Sequence, residues 1–449
     1  MDKISMTWRD EYQRKQVSAE QAAGFVKSGN RVVCAQGRDP LAILLALAAR
    51  KEELRDVDLF IPTPTYDVGW YDEGWEDSFK ITVRFPTGPC YNMVQDRRAD
   101  IYVGDLFPWA NLPPTGDMFF VEVSPPDDKG FCSFGASLWA KKRQVKQHRE
   151  AGKLVIAEEN RRLIRTYGDN FIHVSEIDYI VPHVSGGRVA GSGSLVGKEK
   201  KAPQPYNQAI AGYVGSLIRD RDTLQIGVGR TTEPLVELGL LDGKHDLGWH
   251  SEATPPGLIG LVREGVVNGK YKNTYRGKAV VTSIGGASQE DMEWASNNPV
   301  FWLIDVMDLQ DPRVVSQLDN FVAVNNILMA TLDGHICAEE IDGRIVGTAG
   351  GQIPFVIGAI LSKGGRAVSV LPSTHTAPGG EMRSRIVASL PPATPPLLHR
   401  TAACYIVTEH GIAHLWNKTL KERVREMIAI AHPDFRAELT REAAKLYGI

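Results

Sequence analysis

A predicted buried strand followed by a glycine turn and a helix occurs twice along this chain. The first copy occupies residues 31–49 and the second residues 223–240, and the two match in order and in chemistry. Short apolar runs between turn residues are typical of strands that are covered on both faces of a parallel sheet. We therefore predict an α/β fold made of two related open α/β domains with mainly parallel sheets, the chance recurrence of a common strand–helix unit being the alternative. Further buried strands are predicted at residues 279–284, 300–306, 367–371 and 405–407, and a helix at residues 420–431.

The length and composition of the chain are compatible with two globular domains. The sequence has 449 residues, of which 43% are hydrophobic and 23% charged, whereas single cores rarely grow beyond about 250–300 residues. Residues 185–205 are rich in glycine, serine, proline and lysine, a composition that indicates a linker or an exposed hairpin. We therefore predict an N-terminal domain over residues 1–200 and a C-terminal domain over residues 201–449.

Charge, apolar runs and cysteines exclude several classes of protein. The net charge of −3 favours neither nucleic acid nor an anionic membrane as a partner. The longest apolar run, residues 41–49, is too short to span a bilayer, and the first residues lack the apolar stretch of a signal peptide. The five cysteines are scattered without a CxxC pair, which argues against a disulfide framework and a structural zinc site. We expect a cytoplasmic protein.

The acidic residue Glu252 lies where ligand chemistry is expected in such a fold. Residues 246–249 predict the end of a short buried strand, and residues 255–262 predict a helix with proline in its first turn. Ligands of open α/β sheets bind where strands end and helices begin. A carboxylate there suggests a nucleophile, although Glu252 could equally be the buried ion-pair partner of Arg230. His250 could orient the carboxylate from the same side of an extended segment, but a structural histidine is the simpler interpretation.

Two glycine turns in the second half could supply backbone N–H groups to a reacting oxygen. Residues 227–229 (Gly-Val-Gly) follow the strand of the second copy, and residues 350–352 (Gly-Gly-Gln) precede a short helix with Pro354 in its first turn. An attack on an acyl carbon creates a tetrahedral oxyanion, for which each preorganised donor is worth about 100- to 1,000-fold in rate. Either turn alone is a weak signal. Thr232 stands where a dinucleotide fingerprint has its third glycine, and a structural turn would have the same pattern.

Signals outside these turns are weaker. Glu409 follows the predicted strand at residues 405–407, so a helix cap or a coenzyme contact is plausible. Trp70, Trp75 and Trp109 lie in loops rich in proline and glycine. Packing is the more common role of such side chains, although bulky aromatics in loops could line a ligand pocket.

Longer motifs occur in order along nearly the whole chain. They are SPPDDKGFCSFG (124–135), GDNFIHV (168–174), QIGVG (225–229), LGWHSE (247–252), GGQIPF (350–355), LSKGG (361–365), VTEHGIA (407–413) and AHPDFR (431–436). With these motifs the chain resembles the acetyl-CoA hydrolase/transferase family of class I CoA-transferases, particularly its 4-hydroxybutyrate and butyrate:acetate CoA-transferase branch. The resemblance implies two α/β domains of the CoA-transferase type, which agrees with the duplicated opening.

The resemblance also implies roles for individual residues. Glu252 occupies the position of the family's nucleophilic glutamate, and no metal ligand is implied. Two departures from the family's pattern, at residues 253–257 and 230–231, bear on the acyl group that is bound more than on the reaction. The residues implied to bind CoA or to form the oxyanion hole are Gln225, Gly227, Val228, Gly229, Gly350, Gly351, Gln352, Lys363 and Glu409.

The activity implied by the resemblance is acyl-CoA:carboxylate CoA transfer, on short-chain acids, through an acyl-glutamyl anhydride and a glutamyl-CoA thioester. Coenzyme A would enter as the substrate thioester, with small carboxylic acids as the other reactants and without a metal or redox cofactor. A homodimer is implied as well. Two alternatives stay open: an acyl-CoA hydrolase that uses the same glutamate, and a CoA-binding protein without turnover.

Overall fold

The computed structural model describes residues 7–104, 115–182, 202–341, 343–348, 350–377 and 379–449. Contacts within the chain divide these residues into two compact units. The first unit takes its described residues from 1–104, 111–199 and 282–307, and the second from 200–281 and 308–449. The chain therefore returns to the first unit after it has entered the second, a feature that the predicted division at residue 200 does not include. Most of the predicted linker, residues 185–201, and Trp109 lie outside the described residues.

The helices and strands of both units are numbered in chain order. The helices are α1 (Trp8–Arg14), α2 (Ala19–Gly24), α3 (Leu41–Ala48), α4 (Tyr91–Gln95), α5 (Lys141–Glu150), α6 (Pro205–Leu217), α7 (Leu258–Arg263), α8 (Gln289–Ala295), α9 (Val306–Leu309), α10 (Pro312–Val315), α11 (Gln352–Leu361), α12 (Leu420–Ala429) and α13 (Pro433–Tyr447). The strands are β1 (Arg31–Cys34), β2 (Val57–Ile61), β3 (Phe79–Val83), β4 (Asp100–Ile101), β5 (Met118–Val123), β6 (Phe131–Ser133), β7 (Leu154–Glu159), β8 (Tyr167–Gly168), β9 (Phe171–His173), β10 (Tyr179–Val181), β11 (Thr223–Ile226), β12 (Gly248–Ala253), β13 (Ala279–Ser283), β14 (Phe301–Leu303), β15 (Phe321–Asn326), β16 (Met329–Thr331), β17 (Ile336–Cys337), β18 (Glu340–Ile341), β19 (Arg344–Ile345), β20 (Arg366–Val370), β21 (Thr374–Thr376), β22 (Met382–Ser384), β23 (Ile386–Val387), β24 (Tyr405–Thr408) and β25 (Gly411–His414).

A parallel sheet with the strand order β10-β7-β5-β1-β2-β3-β4 forms the centre of the first unit. Its strand β5 is buried along all six residues, as expected of a strand that is covered on both faces. The strand, turn and helix predicted at residues 31–49 are present as β1 followed by α3.

The second unit contains the strand order β25-β24-β20-β15-β11-β12. The pairs from β12 to β24 are parallel, and β24 and β25 form an antiparallel hairpin. Parallel strands end at one edge of their sheet, here called the carboxyl edge, where β11, β12, β15, β20 and β24 stop. The predicted strands at residues 367–371 and 405–407 and the predicted helix at residues 420–431 are present as β20, β24 and α12. The prediction of an α/β fold with mainly parallel sheets is confirmed.

The helix predicted to end at Leu240 is wrong. Residues 230–243 form a series of turns, in which N–H groups bond mainly to carbonyls three residues back, as Gly239 does to Val236 at 3.2 Å. Gly239 adopts a φ of 83°, which a right-handed helix cannot contain. The second copy of the duplicated opening therefore keeps its strand and glycine turn but not its helix.

The segment around Glu252 also differs from the prediction in its boundaries. Strand β12 continues through Glu252 to Ala253 and does not end near Trp249. Helix α7 begins at Leu258, after Gly257 with a φ of 85°, so the two prolines precede the helix and do not lie in its first turn.

Two further features of the structure are the state of the cysteines and the apolar character of the helices. Each of the five cysteines is buried with a free thiol. Within the described ranges, no helix combines the length and the apolar character that crossing a membrane requires.

Candidate active site

Glu252 is the half-exposed residue of an otherwise buried strand. It is the last residue but one of β12, and the other five residues of that strand are buried. The neighbouring residue Ser251 ties the strand end to β11, since its hydroxyl donates to the carbonyl of Ile226 at 3.2 Å and accepts from the N–H of Ile226 at 3.4 Å. The carboxylate of Glu252 is therefore held at the carboxyl edge of the second unit's sheet, with access to solvent.

The second glycine turn comes directly against this carboxylate. A Cβ built on Gly351 would lie 2.9 Å from the carboxyl carbon of Glu252, 2.7 Å from Oε1 of Gln310 and 2.8 Å from the ring of Phe355. Each distance is shorter than real Cβ atoms show, so no larger residue fits without displacing a neighbour. Helix α11 starts at the next residue, Gln352, and the positive end of its dipole therefore lies close to Glu252.

The first glycine turn follows β11 at the same edge. Gln225 and Asn325 exchange two amide hydrogen bonds of 3.0 and 3.1 Å between β11 and β15. A Cβ on Gly227 would lie 2.6 Å from Oδ1 of Asn325, and a Cβ on Gly229 would lie 3.0 Å from Cβ of Asn326. The turn is thus packed closely onto the end of β15, and a larger residue at either position would have to displace a side chain of that strand.

Several N–H donors at this edge have no partner within the chain as described. The backbone N–H groups of Val228, Gly229 and Gly351 form no hydrogen bond to another described residue. The side-chain Nε2 of Gln352 is buried and has no described hydrogen-bond partner either. Val228 keeps 49% of its surface exposed. These donors are the type of group that can stabilise an oxyanion or a coenzyme carbonyl.

His250 contacts the backbone of a neighbouring segment. Its ring is completely buried, and Nε2 lies 2.6 Å from the carbonyl oxygen of Leu309. Burial lowers the pKa of His250 to about 3, and nearby Lys272 adds to the effect. The imidazole is therefore neutral, with its proton on Nε2 donated to Leu309. The structural interpretation of this histidine agrees with these contacts.

Glu409 and Lys363, which the resemblance implies to bind CoA, lie at different edges of the second unit's sheet. Glu409 follows β24 at the carboxyl edge, where it accepts hydrogen bonds from the N–H of Ser373, at 2.9 Å, and from the Ser373 hydroxyl. Lys363 is exposed beyond the far end of α11, and its carbonyl accepts from the N–H of Asn320 just before β15. Lys363 therefore lies at the amino edge of the sheet, opposite Glu252. The ligand roles of both residues stay predictions.

The alternative of a buried ion pair between Glu252 and Arg230 does not fit the surroundings of Arg230, because that residue is exposed. Of the loop tryptophans, Trp70 is fully buried against Phe79, and Trp75 stacks on the same ring, so both serve packing. A search of the described residues finds no cluster of three or more histidine, cysteine or acidic side chains suited to a metal ion.

Sequence patterns do not indicate three residues of this site. Gln310 lies between two short helices, without a recognisable motif. Ser251 and Asn325 are polar residues at the ends of buried strands, and that position is a signal which could have identified them. Their importance depends on strand pairing, which brings together residues 25 and 100 positions apart.

The sequence of this chain is similar to those of known proteins. The profile of the acetyl-CoA hydrolase/transferase C-terminal domain matches residues 287–443. The 4-hydroxybutyrate coenzyme A transferase of Clostridium kluyveri is 35% identical over 449 residues, which cover 98% of this chain and 100% of that protein. The chain belongs to the acetyl-CoA hydrolase/transferase family. The resemblance inferred from the motifs is thereby confirmed, as is the prediction that the chain is an enzyme of the CoA-transferase type.

Two further proteins are similar to this chain along nearly its whole length. The succinyl-CoA:cyclohexane-1-carboxylate CoA transferase of Geobacter metallireducens is 30% identical over 455 residues, covering 99% of this CoA-transferase and 98% of the relative. The crystal structure of RipA from Yersinia pestis superposes with a TM-score of 0.83 at 30% identity, and the match covers 99% of this chain and 100% of RipA. The fold described above is therefore shared along the whole chain.

Proposed function

We propose that this enzyme transfers coenzyme A from an acyl-CoA to a free carboxylic acid, with Glu252 as the covalent nucleophile. The observation that carries the proposal is the contact of the Glu252 carboxyl group with Gly351 at the start of α11. A carboxylate, a helix start and unpaired N–H donors meet at one sheet edge, which is the combination that covalent acyl transfer requires.

The proposed reaction runs through two covalent intermediates. A carboxylate oxygen of Glu252 attacks the thioester carbon, the C–S bond breaks, and CoA leaves as a thiolate from an acyl-glutamyl anhydride. The thiolate then attacks the glutamyl carbonyl and releases the first acid as its carboxylate, which leaves glutamyl-CoA. A second carboxylate reverses these steps and departs as the new acyl-CoA, so that no net proton or electron is consumed.

Two demands of this chemistry involve the site residues. Each attack places a negative charge on a carbonyl oxygen, and we assign its stabilisation to the N–H groups of Val228, Gly229 and Gly351. The anhydride lies above the thioester in free energy, so binding of the remote parts of CoA must supply the difference. Gln225, Gly227, Gly350, Gln352, Lys363 and Glu409 are the further residues assigned to that binding.

In this proposal the acids that exchange coenzyme A are short-chain carboxylic acids. The names of the relatives include 4-hydroxybutyrate and cyclohexane-1-carboxylate, so the family accepts both a polar chain and a bulky ring. Coenzyme A enters as substrate, and no step above uses a metal or redox group. We further propose that the enzyme is a cytoplasmic homodimer without nucleic-acid or membrane partners.

Chromatography of the CoA species after incubation with butyryl-CoA, with and without acetate, tests the proposal. We expect acetyl-CoA only when acetate is present. The isosteric substitution Glu252→Gln should lower this rate by about 1,000-fold or more, because the nucleophile is lost. The matched control Glu264→Gln alters an exposed glutamate that caps α7 and should keep the wild-type rate.

Other outcomes would identify the alternatives. Release of free CoA at the same rate with and without acetate would make the protein a hydrolase. Binding of CoA without conversion of any acyl-CoA, unchanged in Glu252→Gln, would make it a CoA-binding protein and would refute the nucleophilic role of Glu252.

A further inference from the structure

We propose that Arg230 and Arg385 together form a binding site for a phosphate group of coenzyme A. The inference rests on the proposed function, because it names the part of the substrate that these two residues bind. Neither residue is among those that the resemblance assigns to CoA. The contacts of both residues place them at the carboxyl edge of the second unit's sheet, as the following distances show.

Arg230 lies on a turn that is anchored on both sides. The turn follows β11 and packs on the end of β15, since a Cβ on Gly229 would lie 3.0 Å from Cβ of Asn326. On its other side, Nδ2 of Asn207 in α6 donates to the carbonyl of Thr231 at 3.1 Å. Arg230 itself is exposed. Its guanidinium group is therefore carried by an anchored backbone and is accessible to a ligand.

Arg385 lies at the same end of β15. Its Nη1 donates to the carbonyl of Leu328, two residues after that strand, at 2.8 Å, and its Nε donates to the carbonyl of Thr374 at 3.3 Å. Its backbone N–H donates to the carbonyl of Ser373 at 2.8 Å. These acceptors are neutral, so they hold the half-buried guanidinium in place without neutralising its charge. Two arginines thus meet at the end of β15.

The charges of these two arginines act on each other and on a tyrosine beside them. Burial lowers the pKa of Arg385, and the like charge of Arg230 lowers it further. Burial raises the pKa of Tyr206, in the first turn of α6, whereas both arginines act in the opposite direction. The neighbouring carboxylate of Glu409 is engaged by the N–H and hydroxyl groups of Ser373. An anion bound between the guanidinium groups would remove their repulsion.

The distance from Glu252 favours a phosphate of CoA over a second carboxylate of the acid substrate. Arg385 bonds to segments that follow β15 and β20, which are the second and third strands from β12. Because neighbouring strands lie about 4.8 Å apart, Arg385 is roughly 10–15 Å from Glu252 along the edge. The pantetheine arm of CoA, with its two amide units, spans such a distance. A short-chain dicarboxylic acid does not.

The chemistry of the two side chains suits a phosphate. A guanidinium group donates two parallel hydrogen bonds to phosphate oxygens, and the Tyr206 hydroxyl is a further donor beside them. Binding energy obtained at a phosphate, far from the thioester, is the kind that the high-energy anhydride step requires. The departure from the family's pattern at residue 230 then concerns the coenzyme and not the acyl group.

Three thioesters test the proposal with the full-length enzyme: butyryl-CoA, butyryl-dephospho-CoA without the 3′-phosphate, and butyryl-pantetheine without any phosphate. For Arg230→Gln with acetate as acceptor, we expect kcat/KM to fall about 10- to 100-fold with butyryl-CoA, because charge-assisted hydrogen bonds are lost. The value with butyryl-pantetheine should equal that of the wild type. A loss retained with butyryl-dephospho-CoA would assign the site to the pyrophosphate, and a loss that disappears would assign it to the 3′-phosphate.

A second variant and a matched control complete the experiment. Arg385→Gln should show the same dependence on the phosphates. Because Arg385 also holds two backbone segments, its melting temperature is measured alongside, and the exposed Arg230 tests the site if Arg385→Gln does not fold. Arg219→Gln is the control, since Arg219 is exposed before the other end of β11, and it should keep the wild-type values with all three thioesters.

Several results would overturn the phosphate site. They are wild-type kcat/KM of Arg230→Gln with butyryl-CoA, an equal loss with butyryl-CoA and butyryl-pantetheine, and a loss that appears with succinate but not with acetate as the acceptor. Calorimetric titration of free CoA and of pantetheine into the wild type and Arg230→Gln separates this inference from the proposed function. A wild type that binds CoA but transfers nothing would refute the proposed function, while the difference in CoA affinity between the two proteins would still decide the phosphate site.

Discussion

At the scale of single residues, His250 shows how burial turns a titratable side chain into a structural one. Its position two residues before Glu252, the proposed nucleophile, suggests a catalytic partner. The buried ring instead donates to the carbonyl of Leu309, and its pKa is lowered to about 3 from an ordinary value of 6.5. Its contribution to the site is therefore indirect, through the segment that carries Gln310.

The lowered pKa of His250 predicts a pH-dependent stability. Between pH 6.5 and about 3 the unfolded chain binds a proton on this histidine that the folded chain does not, so the free energy of unfolding falls as the pH falls. We expect this residue to cost about 2 kcal/mol at about pH 5 relative to about pH 7.5. Urea unfolding at both values measures the difference.

The variant His250→Gln isolates this contribution. Its Nε2 can still donate to Leu309, but the side chain does not titrate. The loss of stability between about pH 7.5 and about pH 5 should therefore be smaller by about 2 kcal/mol than in the wild type. Equal pH dependence in the two proteins would show that His250 is not neutral in the folded state.

At the scale of elements, the ends of β11 and β15 are joined by the amide pair of Gln225 and Asn325. Both side chains are buried, and each donates to the other. Gly227 packs on Asn325, so the pair also supports the glycine turn after β11. The resemblance implies a ligand role for Gln225, and the observed contacts add a structural role to it.

A double-mutant cycle on Gln225 and Asn325 should show that the two amides stabilise each other. Gln225→Leu and Asn325→Leu should each lower the free energy of unfolding by about 1–3 kcal/mol, because each leaves one buried amide without its partner. The double variant should lose less than the sum of the two, since both amides are then gone. Denaturant unfolding of the four proteins measures the coupling. Strict additivity would mean that the two amides do not stabilise each other.

At the scale of the whole molecule, the chain passes between its two units more than once. Residues 282–307 belong to the first unit, although they lie within the second half of the sequence. Within that unit, Trp302 pairs with Tyr167 between β14 and β8, and the N–H of Leu138 donates to Thr282 at 2.8 Å. The first unit therefore depends on a segment that the sequence supplies late.

A fragment that ends at residue 200 should consequently lack part of its own fold. We expect residues 1–200 alone to unfold without a sharp transition, because the partners of Tyr167 and Leu138 are missing. The same fragment joined to residues 282–307 by a glycine–serine linker should regain cooperative unfolding. Thermal denaturation followed by circular dichroism compares the two. A cooperative transition in the shorter fragment would contradict the role of the late segment.

Local patterns were sufficient for the class of fold and for the nucleophile candidate. Apolar runs bounded by turn residues predicted β1, β11, β20 and β24, because burial on both faces of a parallel strand is visible in a few consecutive residues. Motif order led to the family, which the relatives confirm. The helix predicted to end at Leu240 failed for a reason that was also local, since Gly239 adopts a φ of 83° that a helix interior does not contain.

Tertiary structure alone decided which groups meet at the carboxyl edge. The approach of Gly351 and Gln310 to Glu252, and the bond from His250 to Leu309 across 59 positions, join segments distant in sequence. No local pattern encodes such contacts, because they depend on strand order and on the packing of α10 against α11. The sequence by itself determined the strands, the family and the acidic residue at a strand end, whereas packing determined the neighbours of that residue.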